Sequence, residues 1–360
     1  MKVDETLNRK WTKQPDGQDG KSIAISSSDN IVLYSASNIT KFNTQGELFW
    51  TKSIGSYNEG NCCLSFGHSD ISSDSSENIY FVLNAKHGHG RCNASHFSID
   101  GVNSVNPNTH DYNTCQRYES FIKKFDSNGS RQWTINNGNN NGETFTNSIK
   151  SNSDGSFFIT GHTTGSMNSV ANIGAKDVFV EKFNTSGEKQ WNKIFGTTSN
   201  DVGNRINIDN SGNIYVTGYT EGILDNGSFK GIRDTFIAKL NSSGDSIWIR
   251  QLGDTYSEGN DVSIDNLGNV YIVGYANGDF DGNLNKGESD IIVVKYDSNG
   301  TKKWSSQYGT FTNDYGTGVV IDTDKGIIIT GYTSGSILGN SSFGQEDIFV
   351  MKLNTDGIIQ

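Results

Sequence analysis

Hydrophobic residues in this chain come in short runs, such as Ile214-Tyr215-Val216 and Ile291-Ile292-Val293-Val294. Turn-forming residues stand close on either side, and the chain has 42 glycines against two prolines. Short runs bounded by glycine, asparagine and aspartate are typical of β-strands, whereas an amphipathic helix needs a longer 3.6-residue period. The pattern predicts an all-β protein.

The tryptophans mark an internal repeat. Each copy has a lysine nine residues before the tryptophan and a glycine four residues before it, and successive tryptophans after the first pair are 83, 58, 57 and 56 residues apart. The complete copies end at Trp50, Trp133, Trp191, Trp248 and Trp304. A sixth copy starts at Lys352 and reaches Gln360, one residue before its tryptophan is due, and Trp11 supplies the missing residue. A regular period of this length indicates a repeat architecture.

Each regular repeat divides into four predicted strands, which we name A to D. In the fifth repeat they cover 261–265, 269–276, 290–297 and 302–308. The connection from C to D has asparagine or aspartate, two residues, and then glycine, which is typical of a type I turn followed by a left-handed glycine. Four-stranded antiparallel units of this period stack radially into a β-propeller.

Six repeats predict one domain, a six-bladed propeller. The expected blades are 12–50, 51–133 with an insertion at 86–117, 134–191, 192–248, 249–304, and 305–360 completed by 1–11. Closure is expected from residues 7–13, added as strand D of the last blade beside 348–353, because an unpaired blade edge leaves backbone amides unsatisfied.

Strand topology places the connections from B to C and from D to A on one face, which we call the loop-rich face. Exposed aromatic side chains on variable loops suit sugars and protein partners. The predicted ligand-binding residues there are Phe229, Tyr256, Phe280 and Phe343, with Arg91 and Tyr112 from the insertion.

Two recurring residues are predicted to be structural. An aspartate opens strand C in blades three to six, at Asp177, Asp234, Asp290 and Asp347, and we expect it to cap the preceding loop. The repeat lysines, such as Lys239 and Lys295, are expected to lay their stems along apolar neighbours and to approach the tryptophan rings.

The second blade carries about 26 extra residues between Leu83 and Phe121. A disulfide between Cys92 and Cys115 would restrain them, and we expect the insertion to form a ridge that selects the partner. Cys62 and Cys63 are expected as buried thiols on strand A. A zinc site is the weaker alternative, and its ligands would come from His87, His89, Cys92, His96, His110 and Cys115.

Calcium is a minor alternative in the fifth blade. Asp279, Asp281, Asn283 and Asn285 place oxygen ligands at every second position, but Leu284 stands where an EF-hand needs glycine. We therefore expect an ordinary polar loop and no metal or other cofactor.

The overall charge of −11 disfavours nucleic acid, whose binding depends on phosphate neutralisation. No apolar stretch is long enough for a transmembrane helix. The first thirty residues lack a signal series, so the sequence itself does not reveal the compartment. We expect a monomer.

The repeat resembles the seven-bladed beta-propeller (SBBP) repeat of exported bacterial proteins. The resemblance rests on residues 268–275, 290–297, Gly300 and Trp304, and it is close from Gly142 onward. It implies an exported protein of the cell surface or periplasm with a binding role. The chain departs from the family name in having six units, and its first blade lacks the B to C loop.

No catalytic sequence signature is present, and the residues taken as the starts of strand A, Asn147, Asn204, Asp261 and Gly318, offer no nucleophile and base pair. We therefore expect a non-enzymatic scaffold that binds a protein or a glycan. The alternative is a metal-dependent propeller hydrolase or lyase acting on polysaccharide.

Overall fold

A computed structural model of the chain describes residues 2–3, 9–11, 20–35, 38–54, 57–58, 64–87, 98–100, 102–103, 118–138, 142–224, 231–322, 326–339, 342 and 344–360. The regular structure in these residues is β-strand, apart from one 3₁₀ turn at Ile337–Gly339. None of the described segments contains a helix long and apolar enough to cross a membrane.

Five blades are four-stranded antiparallel sheets with the strand order A, B, C, D. Blade one contains Gly20–Ile25, Ile31–Ser35, Asn38–Phe42 and Leu48–Ser53. Blade two contains Leu64–Ser73, Ile79–His87, Tyr118–Phe125 and Arg131–Asn136. Blade three contains Thr144–Ser151, Phe157–Thr163, Asp177–Phe183 and Lys189–Phe195.

The remaining blades follow the same order. Blade four contains Asp201–Ile208, Ile214–Thr220, Asp234–Leu240 and Ser246–Leu252. Blade five contains Tyr256–Ile264, Val270–Asn277, Asp290–Tyr296 and Lys302–Tyr308. Blade six contains Asp314–Ile321, Ile327–Thr333 and Asp347–Leu353. The predicted all-β, six-bladed propeller is confirmed.

The chain divides into two compact units, residues 1–172 with 179–194 and residues 173–178 with 195–360. In each unit the hydrophobic core lies between consecutive blades. In the first unit, Tyr34 of blade one packs against Phe81 of blade two. In the second unit, Val273 and Val293 of blade five pack in one cluster with Ile329 of blade six. Stacking the sheets therefore buries the apolar face that one sheet alone leaves open.

The lysine and tryptophan of the repeat form a joint between blades. Lys239 Nζ and Trp248 Nε1 both donate to Ser298 O in the C to D turn of the next blade, at 3.1 and 3.3 Å. The joint recurs with Lys41 and Trp50 on Ser127 O, and with Lys295 and Trp304 on Thr355 O. The lysines are scaffold, as predicted, but the rings beneath their ammonium groups include the strand B tyrosines, Tyr80, Tyr215 and Tyr271.

Strand A begins earlier than predicted and contains a β-bulge. In blade five it starts at Tyr256 instead of residue 261, and Asn260 is the extra residue of the bulge. The corresponding extra residues are Asn147, Asn204 and Thr317. Asn204 Nδ2 donates to Gly259 O and Asn260 Nδ2 to Gly316 O, at 3.0 and 2.9 Å. The bulge therefore turns these amides toward the next blade.

The predicted closing strand is not found in the sixth sheet. Arg9–Trp11 pairs with Lys2–Val3 instead. Beside Asp347–Leu353 the described chain places only Ile359, which bridges to Leu353, and Gln360 N donates to Lys352 O at 2.9 Å. The end of the chain thus turns back and begins the hairpin that the other blades complete.

Part of the blade two insertion packs against the outer strands instead of rising as a ridge. Ser98–Ile99 and Val102–Asn103 form a hairpin that also pairs with Tyr57–Asn58. At its tip, the Asp100 carboxylate is buried and forms an ion pair with Lys123 at 2.8 Å. A buried ion pair of this kind fixes the position of the hairpin, because either charge alone would be costly to bury.

Other predictions for this region and for the first blade have separate outcomes. Cys62, Cys63, Cys92 and Cys115 lie outside the described residues, as do the zinc candidates apart from the backbone of His87, which ends strand B. In blade one, Ser35 pairs with Asn38, so only two residues join strands B and C. The predicted lack of a B to C loop there is confirmed.

Candidate ligand-binding site

The predicted ligand-binding residues have different positions in the structure. Tyr256 opens strand A of blade five and is partly exposed. Phe280 is fully buried in the core of that blade, which corrects its prediction as an exposed aromatic. Four predicted residues, Phe229, Phe343, Arg91 and Tyr112, lie outside the described residues.

The candidate calcium ligands take part in separate protein contacts. Asp281 Oδ2 forms an ion pair with Lys302 and accepts a hydrogen bond from Ser305. Asp279 Oδ1 accepts from Asn285 N at 2.8 Å, and Asn283 Nδ2 donates to Phe280 O at 3.0 Å. Each group has a structural use within its own turn, and no cluster of three or more His, Cys, Asp or Glu side chains occurs among the described residues.

The recurrent aspartates cap the loops that precede strand C, as predicted. Asp177 Oδ2 accepts hydrogen bonds from Ile173 N and Gly174 N at 2.5 and 3.1 Å. Asp290 Oδ2 accepts from Lys286 N at 2.7 Å, and Asp347 Oδ2 from the Ser342 hydroxyl at 2.9 Å. These contacts hold the B to C loops against strand C and make the loop-rich face a defined surface.

A row of tyrosines lies on the loop-rich face of the second unit. Strand B ends in Gly-Tyr in blades four, five and six, at Tyr219, Tyr275 and Tyr332. At Gly274 a Cβ would come within 1.8 Å of Glu258 O, so only glycine lets strands A and B approach here. Tyr256 and Tyr315 on strand A complete the row. All five side chains are half-buried.

Arg233 organises one end of this row. It lies immediately before the recurrent aspartate of blade four, with its guanidinium 3.7 Å from the centre of the Tyr219 ring and 4.8 Å from that of Tyr256. Its Nη2 donates to Glu221 at 2.7 Å, and its Nη1 contacts Glu258. Two carboxylates and two aromatic rings therefore surround one cation.

Protonation states at this end follow from the contacts. Burial opposes the charge of Arg233, but its hydrogen bonds with Glu221 and Glu258 raise its pKa above the usual value. Burial, together with the negative charges of Glu258 and Glu221, raises the pKa of Tyr219 to about 12. The guanidinium is therefore charged and Tyr219 is neutral at physiological pH.

The remaining tyrosines continue the row toward blade six. The ring centres of Tyr256 and Tyr275 are 6.1 Å apart, those of Tyr275 and Tyr315 are 4.6 Å apart at 65°, and those of Tyr315 and Tyr332 are 4.8 Å apart at 29°. Such edge-to-face and offset contacts are favourable between aromatic rings. We call these five tyrosines, with Arg233, Glu221 and Glu258, the tyrosine–arginine cluster.

Exposed apolar side chains lie on the same face. Phe311, in the connection from blade five to blade six, is 92% exposed, and Ile232, next to Arg233, is 75% exposed. Asn313 and Tyr315 follow Phe311, and the Tyr315 hydroxyl donates to Asn313 Oδ1 at 3.3 Å. The face thus combines aromatic surface with carboxylate, amide and hydroxyl groups.

Sequence reasoning identified Tyr256 but missed the rest of the cluster. The signal was available at two repeat positions: the residue before the recurrent aspartate is Lys176, Arg233, Ser289 or Glu346, and the strand A residue opposite the Gly-Tyr tyrosine is Val202, Glu258 or Tyr315. These positions vary between blades while the scaffold stays constant. Variation of this kind marks surface available for binding.

Solved structures similar to this chain share little sequence with it. They include a protein of unknown function from Bacteroides caccae (12% identity, covering 84% of this chain and 87% of that one, TM-score 0.42) and a gluconolactonase from Xanthomonas campestris (13% identity, 87% and 83%, TM-score 0.41). The WD40 domain of Neurospora crassa Pan2 matches at 11% identity, with coverage of 94% and 83% and a TM-score of 0.45. These similarities do not indicate a function.

No curated protein matches the sequence. The profile of the SBBP beta-propeller repeat matches residues 190–225 and 247–281. Both segments lie in the part of the chain where the resemblance is closest, and each includes a repeat tryptophan, Trp191 or Trp248. The chain therefore carries SBBP beta-propeller repeats.

Proposed function

We propose that this protein is a non-enzymatic binding scaffold of the bacterial surface or envelope, and that it holds a protein or glycan ligand on its loop-rich face at the tyrosine–arginine cluster. SBBP repeats on a propeller fold suggest a binding scaffold. The surface and envelope location rests on the resemblance to repeats of exported proteins.

The observation behind this proposal is the contrast between the scaffold and the cluster. Caps, turns and joints recur from blade to blade, whereas the Arg233 position and its strand A neighbours differ between blades and leave tyrosine rings half-exposed. Tyrosine and arginine are enriched among residues that dominate binding energy. The arginine and its two glutamates are held by reciprocal contacts, so the surface is rigid before a ligand arrives.

Immobilised wild-type protein, exposed to fractionated envelope proteins and polysaccharides of the source organism, should take up one component saturably. The double variant Tyr315→Ala/Tyr332→Ala should weaken this uptake by about tenfold or more, because it removes two adjacent ring surfaces. Mass analysis of the released component should show it unchanged, as expected for binding without catalysis.

Two variants control for folding and location. Tyr315→Phe/Tyr332→Phe keeps the rings and should retain most of the uptake. Leu267→Ala alters a 70% exposed side chain in an A to B turn, on the hairpin face, and should have no effect. Equal uptake by the wild type and the alanine variant, with both folded, would place binding elsewhere, and a shortened component would indicate an enzyme.

A further inference from the structure

We propose that the tyrosine–arginine cluster binds an uncharged polysaccharide. This inference rests on the proposed function, because it names the ligand class for the same site. Three properties of the cluster lead to it: its charge balance, the alternation of ring and polar groups, and its rigidity.

The charge balance disfavours anionic ligands. Arg233 is enclosed by Glu221 and Glu258, with its side chain 20% exposed and theirs 23% and 14% exposed. One guanidinium between two carboxylates leaves one net negative charge at the site. A phosphate, sulfate or uronate group would have to displace a carboxylate to reach the cation, and it would be repelled by the other carboxylate.

The groups alternate as a sugar chain would require. Ring centres follow one another at 4.6 to 6.1 Å from Tyr256 to Tyr332. Carboxylate, amide and hydroxyl groups of Glu258, Asn313 and Ser289 lie beside these rings. A pyranose ring presents an apolar C–H face and a rim of hydroxyl groups, so it can contact an aromatic ring and donate to a carboxylate at once.

The rings are held by polar contacts at their hydroxyl ends. The Tyr256 hydroxyl donates to Glu258 at 2.8 Å and accepts from Arg233 at 2.6 Å. The Tyr315 hydroxyl is 3.3 Å from both Asn313 Oδ1 and Ser289 Oγ. A ligand therefore meets side chains whose conformational entropy has already been lost, which favours binding of a flexible chain.

A protein partner fits the centre of this cluster less well. The centres of protein interfaces are depleted in glutamate, whereas here Glu221 and Glu258 occupy the middle of the polar end. Burying these carboxylates under a dry apolar surface would cost their remaining hydration. Hydroxyl groups of a sugar would replace that hydration.

Affinity gel electrophoresis tests the inference with matched polymers. We expect slower migration of the native protein in gels containing at least one uncharged polymer among hydroxyethylcellulose, galactomannan, mixed-linkage β-glucan and dextran. Carboxymethylcellulose and dextran sulfate, which carry the same backbones with negative charge, should not retard it. Serum albumin provides the reference mobility.

The variants give the effect a location. Tyr315→Ala/Tyr332→Ala should raise the apparent dissociation constant for the bound polymer at least tenfold, while Tyr315→Phe/Tyr332→Phe and Leu267→Ala should change it less than threefold. Glu221→Gln should unmask the charge of Arg233 and produce new retardation in carboxymethylcellulose. That gain cannot result from misfolding.

Several results would overturn the inference: no retardation by any uncharged polymer, stronger retardation of the wild type by the charged derivatives, or equal retardation of the wild type and the alanine variant. If the alanine variant loses uptake of an envelope protein while no polysaccharide is bound, the scaffold function stands and the glycan inference fails. Shorter polymer products would refute the scaffold function itself.

Discussion

At the residue scale, the aspartate that opens strand C and the glycine that follows strand D act together. Asp290 Oδ2 caps the B to C loop, and its Oδ1 lies so close to Gly309 that a Cβ there would come within 2.0 Å. The same contact recurs between Asp234 and Gly253 at 2.3 Å. The sequence predicted the cap, but the need for glycine follows only from the packing of one loop on the other.

Gly309→Ala should therefore lower the free energy of unfolding by about 1 to 3 kcal/mol, because the new methyl group overpacks against the Asp290 carboxylate. Gly344→Ala is the matched control: Gly344 is exposed, and a Cβ there meets nothing within 4 Å. It should change stability by less than about 0.5 kcal/mol. Urea unfolding followed by circular dichroism measures both, and equal losses would show that Asp290 does not require the glycine.

At the scale of the elements, the joint explains why the repeat keeps lysine, turn glycine and tryptophan at constant spacing. Lys295 pairs with Trp304 across strands C and D, so both donors reach the same turn carbonyl of the next blade. The turn glycine of that blade packs on the ring: a Cβ at Gly357 would lie 3.2 Å from Trp304. One blade thereby sets the position of the next.

Gly300→Ala tests this joint in blade five. Gly300 has φ +76°, and its Cβ would lie 2.8 Å from the Trp248 ring, whereas Gly282 has φ +81° and an added Cβ meets nothing within 4 Å. Alanine at Gly282 should cost about 1 kcal/mol for the left-handed backbone alone. Alanine at Gly300 should cost a further 1 kcal/mol or more, roughly, for the contact with Trp248. Thermal and urea unfolding that gave the same loss for both variants would contradict the joint.

At the scale of the whole molecule, acidic side chains make stability depend on pH in opposite ways. Burial raises the pKa of Asp290, and the nearby charge of Asp314 adds to the effect. By contrast, the hydrogen bond from Lys303 lowers the pKa of Asp297 to about 2. The net charge of −11 therefore does not reveal how folding responds to acid.

Asp290→Asn should separate these contributions. Because its folded pKa lies above the unfolded value, Asp290 contributes stability that is fully present below about pH 4 and is lost as the pH rises through the folded pKa. Asparagine stays neutral, so the stability of the variant relative to the wild type should increase as the pH rises from about 4, and then become constant. Urea unfolding at several pH values between 2.5 and 7 gives this difference.

Asp297→Asn is the control of opposite sign. Asp297 contributes stability above its unfolded pKa and loses it as the pH falls through about 2, so the deficit of this variant should be constant at neutral pH and shrink below about pH 4. A flat difference for Asp290→Asn across the range would show that its carboxyl titrates normally.

The sequence by itself determined the local features that repeat. Strand-length apolar runs, turn glycines and the spacing of lysine and tryptophan predicted the strands Asp290–Tyr296 and Lys302–Tyr308 within one residue, because each rests on contacts between neighbours along the chain. It also predicted the aspartate caps, since they bind backbone amides three or four residues away.

Tertiary structure alone decided what depends on residues far apart. Arg233 meets Glu258 across 25 positions, and Phe280 becomes core because its loop folds inward, although an aromatic residue in a polar loop reads as exposed. The pairing of Arg9–Trp11 with Lys2–Val3 was decided in the same way. Periodicity reports which residues lie on one face of a strand, but contacts between blades depend on how the faces meet, and the ligand-binding surface is built from those contacts.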